Sequence, residues 1–187
     1  MNEQTIRFGH SHEALAAMIE QWAEGSEDVS TPLADLSFFR RTRPTEPDVC
    51  LVEPALLVVA QGAKQMFVGG APHRYDPSGF LITSLEIPGQ TQIIEASEER
   101  PCLGLVLKLD QRMLAEMVAR NVTPPPSQAK KRSSVAVGTM TSDLLAPLER
   151  LVALLDDGTP NAKQWAAGAL WNLAGDADNQ VQVVAAG

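Results

Sequence analysis

Hydrophobic and polar positions change their period twice along this 187-residue chain. Near the start, Leu15, Met18, Ile19 and Trp22 line one face of a helix predicted over roughly 11–24. Ser11 is placed to cap its beginning, and Gly25 to end it where a left-handed residue costs least. From about 34 to 109 the period shortens, and apolar runs of strand length alternate with turn residues. Leu36–Phe39, Val49–Val52, Ala55–Ala60, Lys64–Val68, Phe80–Thr83, Thr91–Glu95 and Cys102–Leu107 read as strands. The pair Gly69-Gly70 marks a two-residue hairpin, and Asp76-Pro77-Ser78-Gly79 another turn. No crossover helix separates these segments, which argues for a sandwich or barrel rather than a parallel sheet.

Beyond residue 109 the helical period returns. Met113, Leu114, Met117 and Val118 predict a helix over about 110–120, with Asp110 as its cap. Thr123-Pro124-Pro125-Pro126-Ser127 and Lys130-Lys131-Arg132 then read as an exposed linker. Leu148, Leu151, Val152, Leu154 and Leu155 form the next apolar stripe, with Pro147 expected in its first turn. A further helix is expected from Thr159-Pro160 to about Leu173, and a third after Asp178.

Charge narrows the function. Fifteen Lys and Arg against 23 Asp and Glu leave a formal net charge of −8, and the only dense basic run is Lys130–Arg132. Phosphate contacts supply most of the affinity for nucleic acid, so direct DNA binding by this chain alone is not expected. No apolar run approaches the length of a membrane span. The first residues lack the basic and apolar regions of a signal peptide. Two cysteines, Cys50 and Cys102, are too few for a disulfide framework and fit a reducing cytoplasm.

The stretch from about Thr31 to Arg120 resembles the N-terminal domain of AraC-type transcriptional regulators. The resemblance is carried by Thr31-Pro32-Leu33, Phe38-Phe39-Arg40, Glu53-Pro54, Val59-Ala60-Gln61-Gly62-Ala63-Lys64, Gly69-Gly70, Tyr75-Asp76-Pro77 and Glu95–Pro101. It implies a mainly β, cupin-like barrel of jelly-roll type with flanking helices, followed here by an α-helical C-terminal segment. It also implies a small-molecule effector and a homodimer. Regulators of this kind read DNA through a helical pair of helix-turn-helix motifs. The stretch after Arg120 is expected to lack that domain, because its acidic and basic side chains are nearly balanced and no basic recognition face stands out. Leu148–Gly187 resembles part of an armadillo repeat, through Leu151–Leu155, Asp157–Pro160 and Ala166–Ala174. One repeat cannot bury its own apolar face, so two explanations stand: its helices pack on the barrel or on a second subunit, or the stretch reflects a fragment or fusion.

The expected layout is therefore an N-terminal helix (1–30), the cupin-like domain (31–120), a linker (121–140) and a helical, partly armadillo-like segment (141–187). No nucleophile elbow, phosphate loop or paired catalytic carboxylate is found, which favours a binder over an enzyme. Metal is not expected as a cofactor. His10 and His12, with Glu13, lie two apart and diverge on a helix, and His73 is remote in sequence. Cys50 and Cys102 read as buried structural thiols. For an effector pocket the candidates are Phe39 and Tyr75 for shape, with Gln61, Lys64 and Glu86 to orient a polar group. Two other readings remain at this point: an interaction module using the apolar faces around Leu151–Leu155 and Trp165–Leu173, and a metal-dependent cupin enzyme.

Overall fold

A computed structural model describes residues 3–33, 35–109 and 134–156, with side chains from residue 12 onward. A helix, α1 (Glu3–Trp22), precedes nine strands: β1 (Asp28–Ser30), β2 (Leu36–Arg41), β3 (Asp48–Val52), β4 (Ala55–Gln61), β5 (Ala63–Val68), β6 (Ala71–Tyr75), β7 (Gly79–Thr83), β8 (Ile87–Glu95) and β9 (Cys102–Lys108). A tenth strand, β10 (Val135–Thr139), leads into α2 (Ser142–Asp156). The strands form two sheets, ordered β1-β2-β9-β4-β7-β10 and β3-β8-β5-β6. All described pairings are antiparallel.

Side-chain alternation makes this a three-layer structure. On the larger sheet, Leu36, Phe38, Leu56, Val58, Phe80, Ile82, Leu103, Leu105 and Leu107 face the helices and join Leu15, Ile19, Leu148, Leu151 and Val152 in one core. The alternate residues Phe39, Leu57, Val59, Leu81 and Cys102 face the smaller sheet and meet Val52, Met66, Tyr75 and Ile93 in a second core. The helical stripe of α1 is thus buried as its spacing required, and Trp22 leans on Phe38 at 6.1 Å between ring centroids.

Four expectations are corrected. The sheets do not close into a barrel: β1 and β10 are the edges of one, β3 and β6 of the other. α1 begins well before Ser11, which is therefore inside the helix rather than its cap; no proline in Glu3–His10 stops the helix earlier. α2 begins at Ser142, where the Leu144 and Leu145 amides donate to the Thr141 carbonyl, so Pro147 sits in the helix interior and not in its first turn. Part of the expected linker is strand, because Val135–Thr139 pairs with β7 along its whole length. The helices expected over 110–120, 159–173 and beyond 178 lie outside the described residues.

Turn chemistry was the more reliable signal. Gly69 and Gly70 take φ of 58° and 82°, the left-handed pair that a tight hairpin between β5 and β6 demands. β6 itself escaped the sequence pattern, since an exposed edge carrying Pro72 shows no apolar alternation.

Candidate effector site

Lys64 and Tyr75 border the inter-sheet core where β5, β6, β2 and β9 come together. On β5, alternation directs Lys64, Met66 and Val68 inward, and Lys64 pairs in register with Tyr75 of β6. A bulge places Lys64 there. Ala63 pairs with Glu95 but Lys64 pairs with Ile93, so Ile94 is the extra residue. Bulges of this kind re-aim side chains next to functional sites. Across the gap, Phe39 of β2 presents its ring face to Lys64, with Nζ 4.2 Å from the ring centroid. The ring fits because its register partner on β9 is Gly104. A Cβ there would lie 2.4 Å from Phe39 Cζ and 2.2 Å from the Val58 carbonyl oxygen.

Two polar groups in this cluster have no hydrogen-bond or ion-pair partner among the described residues. The Tyr75 hydroxyl is buried, on a residue only 2% exposed, and makes no hydrogen bond. Lys64 makes no ion pair among the described residues; its neighbour Arg41 is engaged by both Asp28 carboxylate oxygens at 2.9 Å. Part of Lys64 remains accessible, but its ammonium lies deep among protein atoms, and that depth sets its electrostatics. Burial lowers its pKa and outweighs the rest: Cys102, Asp28 and Cys50 act to raise it, and the Arg41 charge to lower it. Burial raises the Tyr75 phenol far above its ordinary value, so it stays a protonated donor.

The two thiols behave oppositely to the amine. Burial pushes Cys102 up to about 11 despite Lys64 and Arg41 nearby. It raises Cys50 as well. Both cysteines are free and both are held as thiols, the state of unreactive cysteine. Among the described residues no group of three or more His, Cys, Asp or Glu is arranged to hold a metal. His12 is buried in α1, where burial lowers its pKa.

The profile of the AraC-type transcriptional regulator N-terminus matches residues 32–169, well over half of the chain. The chain belongs to that family. No curated protein matches it. Among solved structures, this AraC-type domain is similar to the apo form of a ToxT variant from Vibrio cholerae, with a TM-score of 0.55 and 6% identity, covering 76% of this chain and 55% of that one. ToxT from the same organism with an unsaturated fatty acid bound aligns at a TM-score of 0.49 and 7% identity, over 73% and 49% of the two chains. The AraC-like transcriptional activator CuxR aligns at 0.48 and 11%, over 94% and 65%. At these identities the apo ToxT likeness speaks for the fold alone. The chain spans about half the length of the ToxT chains it matches.

Of the residues singled out in the sequence, the AraC-type fold brings Phe39, Lys64 and Tyr75 together on the inner faces. Gln61 stands apart. It lies beyond a bulge in β4, opposite Leu103 of the helix-side core, and its Nε2 donates to the Pro101 carbonyl at 2.9 Å. Glu86 is exposed in the turn before β8. It lies roughly 20 Å along that strand from Ile93, the register partner of Lys64. Sequence reading missed Met66, Ile93, Cys102 and Gly104 as neighbours of the cluster. Gly104, isolated within an apolar strand, was the available signal, since such a glycine marks a close approach.

The armadillo resemblance is not supported. The AraC-type match runs through the expected linker and on to residue 169. Leu148, Leu151, Val152 and Leu155 are buried against α1 and the larger sheet. They are therefore part of this domain's own core and leave no stripe for a neighbouring repeat or an exposed interaction surface. Trp165–Leu173 lies outside the described residues. No helix of the described residues is long and apolar enough to cross a membrane.

Proposed function

We propose that this chain is the effector-binding domain of an AraC-type regulator, and that the effector binds between the two sheets at Phe39, Lys64 and Tyr75. The observation that carries this reading is the buried Tyr75 Oη without a hydrogen-bond partner, in register with Lys64, whose Nζ lies over Phe39 with no ion pair among the described residues, beside an apolar core. A buried hydroxyl without a hydrogen bond costs about 1–3 kcal/mol. A ligand that supplies an acceptor recovers that cost and so gains affinity. The ligand is a small molecule with an apolar body, set against Phe39, Met66 and Ile93, and one polar end reached by Lys64 and Tyr75. Gln61 and Glu86 are outside this site.

The domain acts as a sensor rather than an enzyme. Effector binding favours one arrangement of a homodimer over another, and a DNA-reading part of the regulator other than this domain reports the shift. Its place is the cytoplasm, where the free thiols stay reduced.

The test is thermal unfolding of the chain against a panel of short-chain carboxylic acids, alcohols, aldehydes and sugars, in wild type and in a Lys64→Met, Tyr75→Phe double variant. A compound at a hundred times its dissociation constant stabilises by about 2.7 kcal/mol. Stabilisation in wild type that is lost in the double variant supports the site. Equal stabilisation of both proteins rejects it.

A further inference from the structure

The inter-sheet core holds three nucleophilic atoms, and this inference rests on the effector-site reading above. Cys50 and Cys102 contribute thiols, while Lys64 contributes an amine. Their common burial has opposite consequences: it keeps both thiols protonated, and it drives the ammonium toward the free amine. A lysine desolvated in an apolar site beside a second cation is the usual setting of an amine nucleophile.

The geometry adds what the chemistry needs. Nζ rests over the Phe39 ring and carries no ion pair among the described residues; the ring face and the more distant Asp28 carboxylate favour the ammonium, and burial opposes them. Tyr75 is its register partner, which puts the two Cβ atoms about 4.5–5.5 Å apart on one face. The Tyr75 hydroxyl is a buried donor with nothing to donate to. We propose that Lys64 condenses reversibly with the carbonyl carbon of an aldehyde effector, while Tyr75 donates a hydrogen bond to the carbonyl oxygen.

The step balances without any oxidant or reductant. The neutral amine attacks the carbonyl carbon, a C–N bond forms, and the carbonyl π pair moves onto oxygen. That oxygen takes up a proton as nitrogen releases one, giving a carbinolamine hydrogen-bonded to Tyr75. The C–O bond then breaks, oxygen leaves as water, and the nitrogen lone pair completes the C=N bond. The product is an imine and one water, and hydrolysis reverses the sequence. The site therefore selects an electrophilic carbonyl on an apolar body, and it captures it through nitrogen rather than sulfur.

The experiment uses the full chain with hexanal as probe and cyanoborohydride, which reduces a C=N bond to a stable secondary amine. Buffer is mildly acidic, so that exposed lysines stay protonated. The expected result, apart from labelling of the chain's α-amino group, is one hexyl group on a lysine, mapped to Lys64. Labelling of Lys64 should exceed that of exposed Lys108. Lys64→Arg should abolish it, and Tyr75→Phe should slow it several-fold in a chain whose circular dichroism is unchanged. Labelling spread evenly over the lysines, or undiminished lysine labelling in Lys64→Arg, overturns the proposal. Hexanoate is run beside hexanal. If hexanoate stabilises wild type but not Lys64→Met, and hexanal leaves Lys64 unlabelled, the imine is overturned while the effector site stands. Failure of that site shows separately, as compounds that stabilise wild type and the double variant alike.

Discussion

Replacing Tyr75 by Phe should make the ligand-free protein more stable, the reverse of what removing a polar contact usually does. The ring is 2% exposed and its hydroxyl has no hydrogen-bond partner. Folding therefore strips water from that hydroxyl and returns nothing, a cost of about 1–3 kcal/mol that the variant avoids. Against this stands the small void left by one oxygen. At about 10–15 Å³ and about 24 cal/mol per Å³, it costs roughly 0.3 kcal/mol. The balance favours the variant by about 1–2 kcal/mol, or roughly 2–8 °C in unfolding midpoint for a domain of this size. Thermal and urea unfolding of wild type and variant without ligand measure it directly. The same variant should bind an effector more weakly, by the worth of one hydrogen bond, about 0.5–1.5 kcal/mol. A variant destabilised by about 1 kcal/mol or more would mean that the hydroxyl is satisfied in the folded protein, and the argument for a ligand-facing pair would fail.

Three other perturbations test different parts of the account. Gly104→Ala should destabilise by about 1–3 kcal/mol and displace the Phe39 ring, because the new Cβ overlaps both that ring and the Val58 carbonyl; an unchanged midpoint in urea would contradict the packing. Lys64→Met should remove a pH dependence. With its folded pKa lowered, Lys64 binds a proton more readily in the unfolded chain, so wild-type stability rises from the folded pKa toward about 10.4. The variant should lack that rise, and identical profiles would show that the ammonium is well solvated. Deleting 142–187 removes Leu144, Leu145, Leu148, Leu151, Val152 and Leu155 from the core. At about 1.5–3 kcal/mol each this matches a typical whole-domain stability, so the remainder should lose cooperative unfolding or aggregate. A folded, monomeric remainder would contradict the packing of α2 as core.

How far the sequence could be read depended on which force set each feature. Period and turn chemistry are local, so most strand segments, the Gly69-Gly70 hairpin and the stripe of α1 were legible. β10 was not, because Val135–Thr139 has little character of its own and becomes a strand only by pairing with β7. The armadillo reading failed for a related reason: a leucine stripe at helical spacing says that a face is buried, not against what. At the site, Phe39, Lys64 and Tyr75 were named from residue type, but their meeting depends on a bulge at Ile94 and on β5–β6 pairing. Gln61 was misplaced by the neighbouring bulge in β4, which takes it out of the inward alternation. Glu86 looked equally suitable in the sequence, yet strand length carries it to the other end of β8.

The most direct test is a crystal structure of the chain with the strongest stabilising compound from the panel. The account predicts that compound between the two sheets, its apolar body against Phe39 and Met66 and its polar end within hydrogen-bond distance of Lys64 Nζ and Tyr75 Oη. A compound bound instead on the outer face of the smaller sheet, where Val49 and Leu51 are exposed, with Tyr75 still unpartnered, would contradict it.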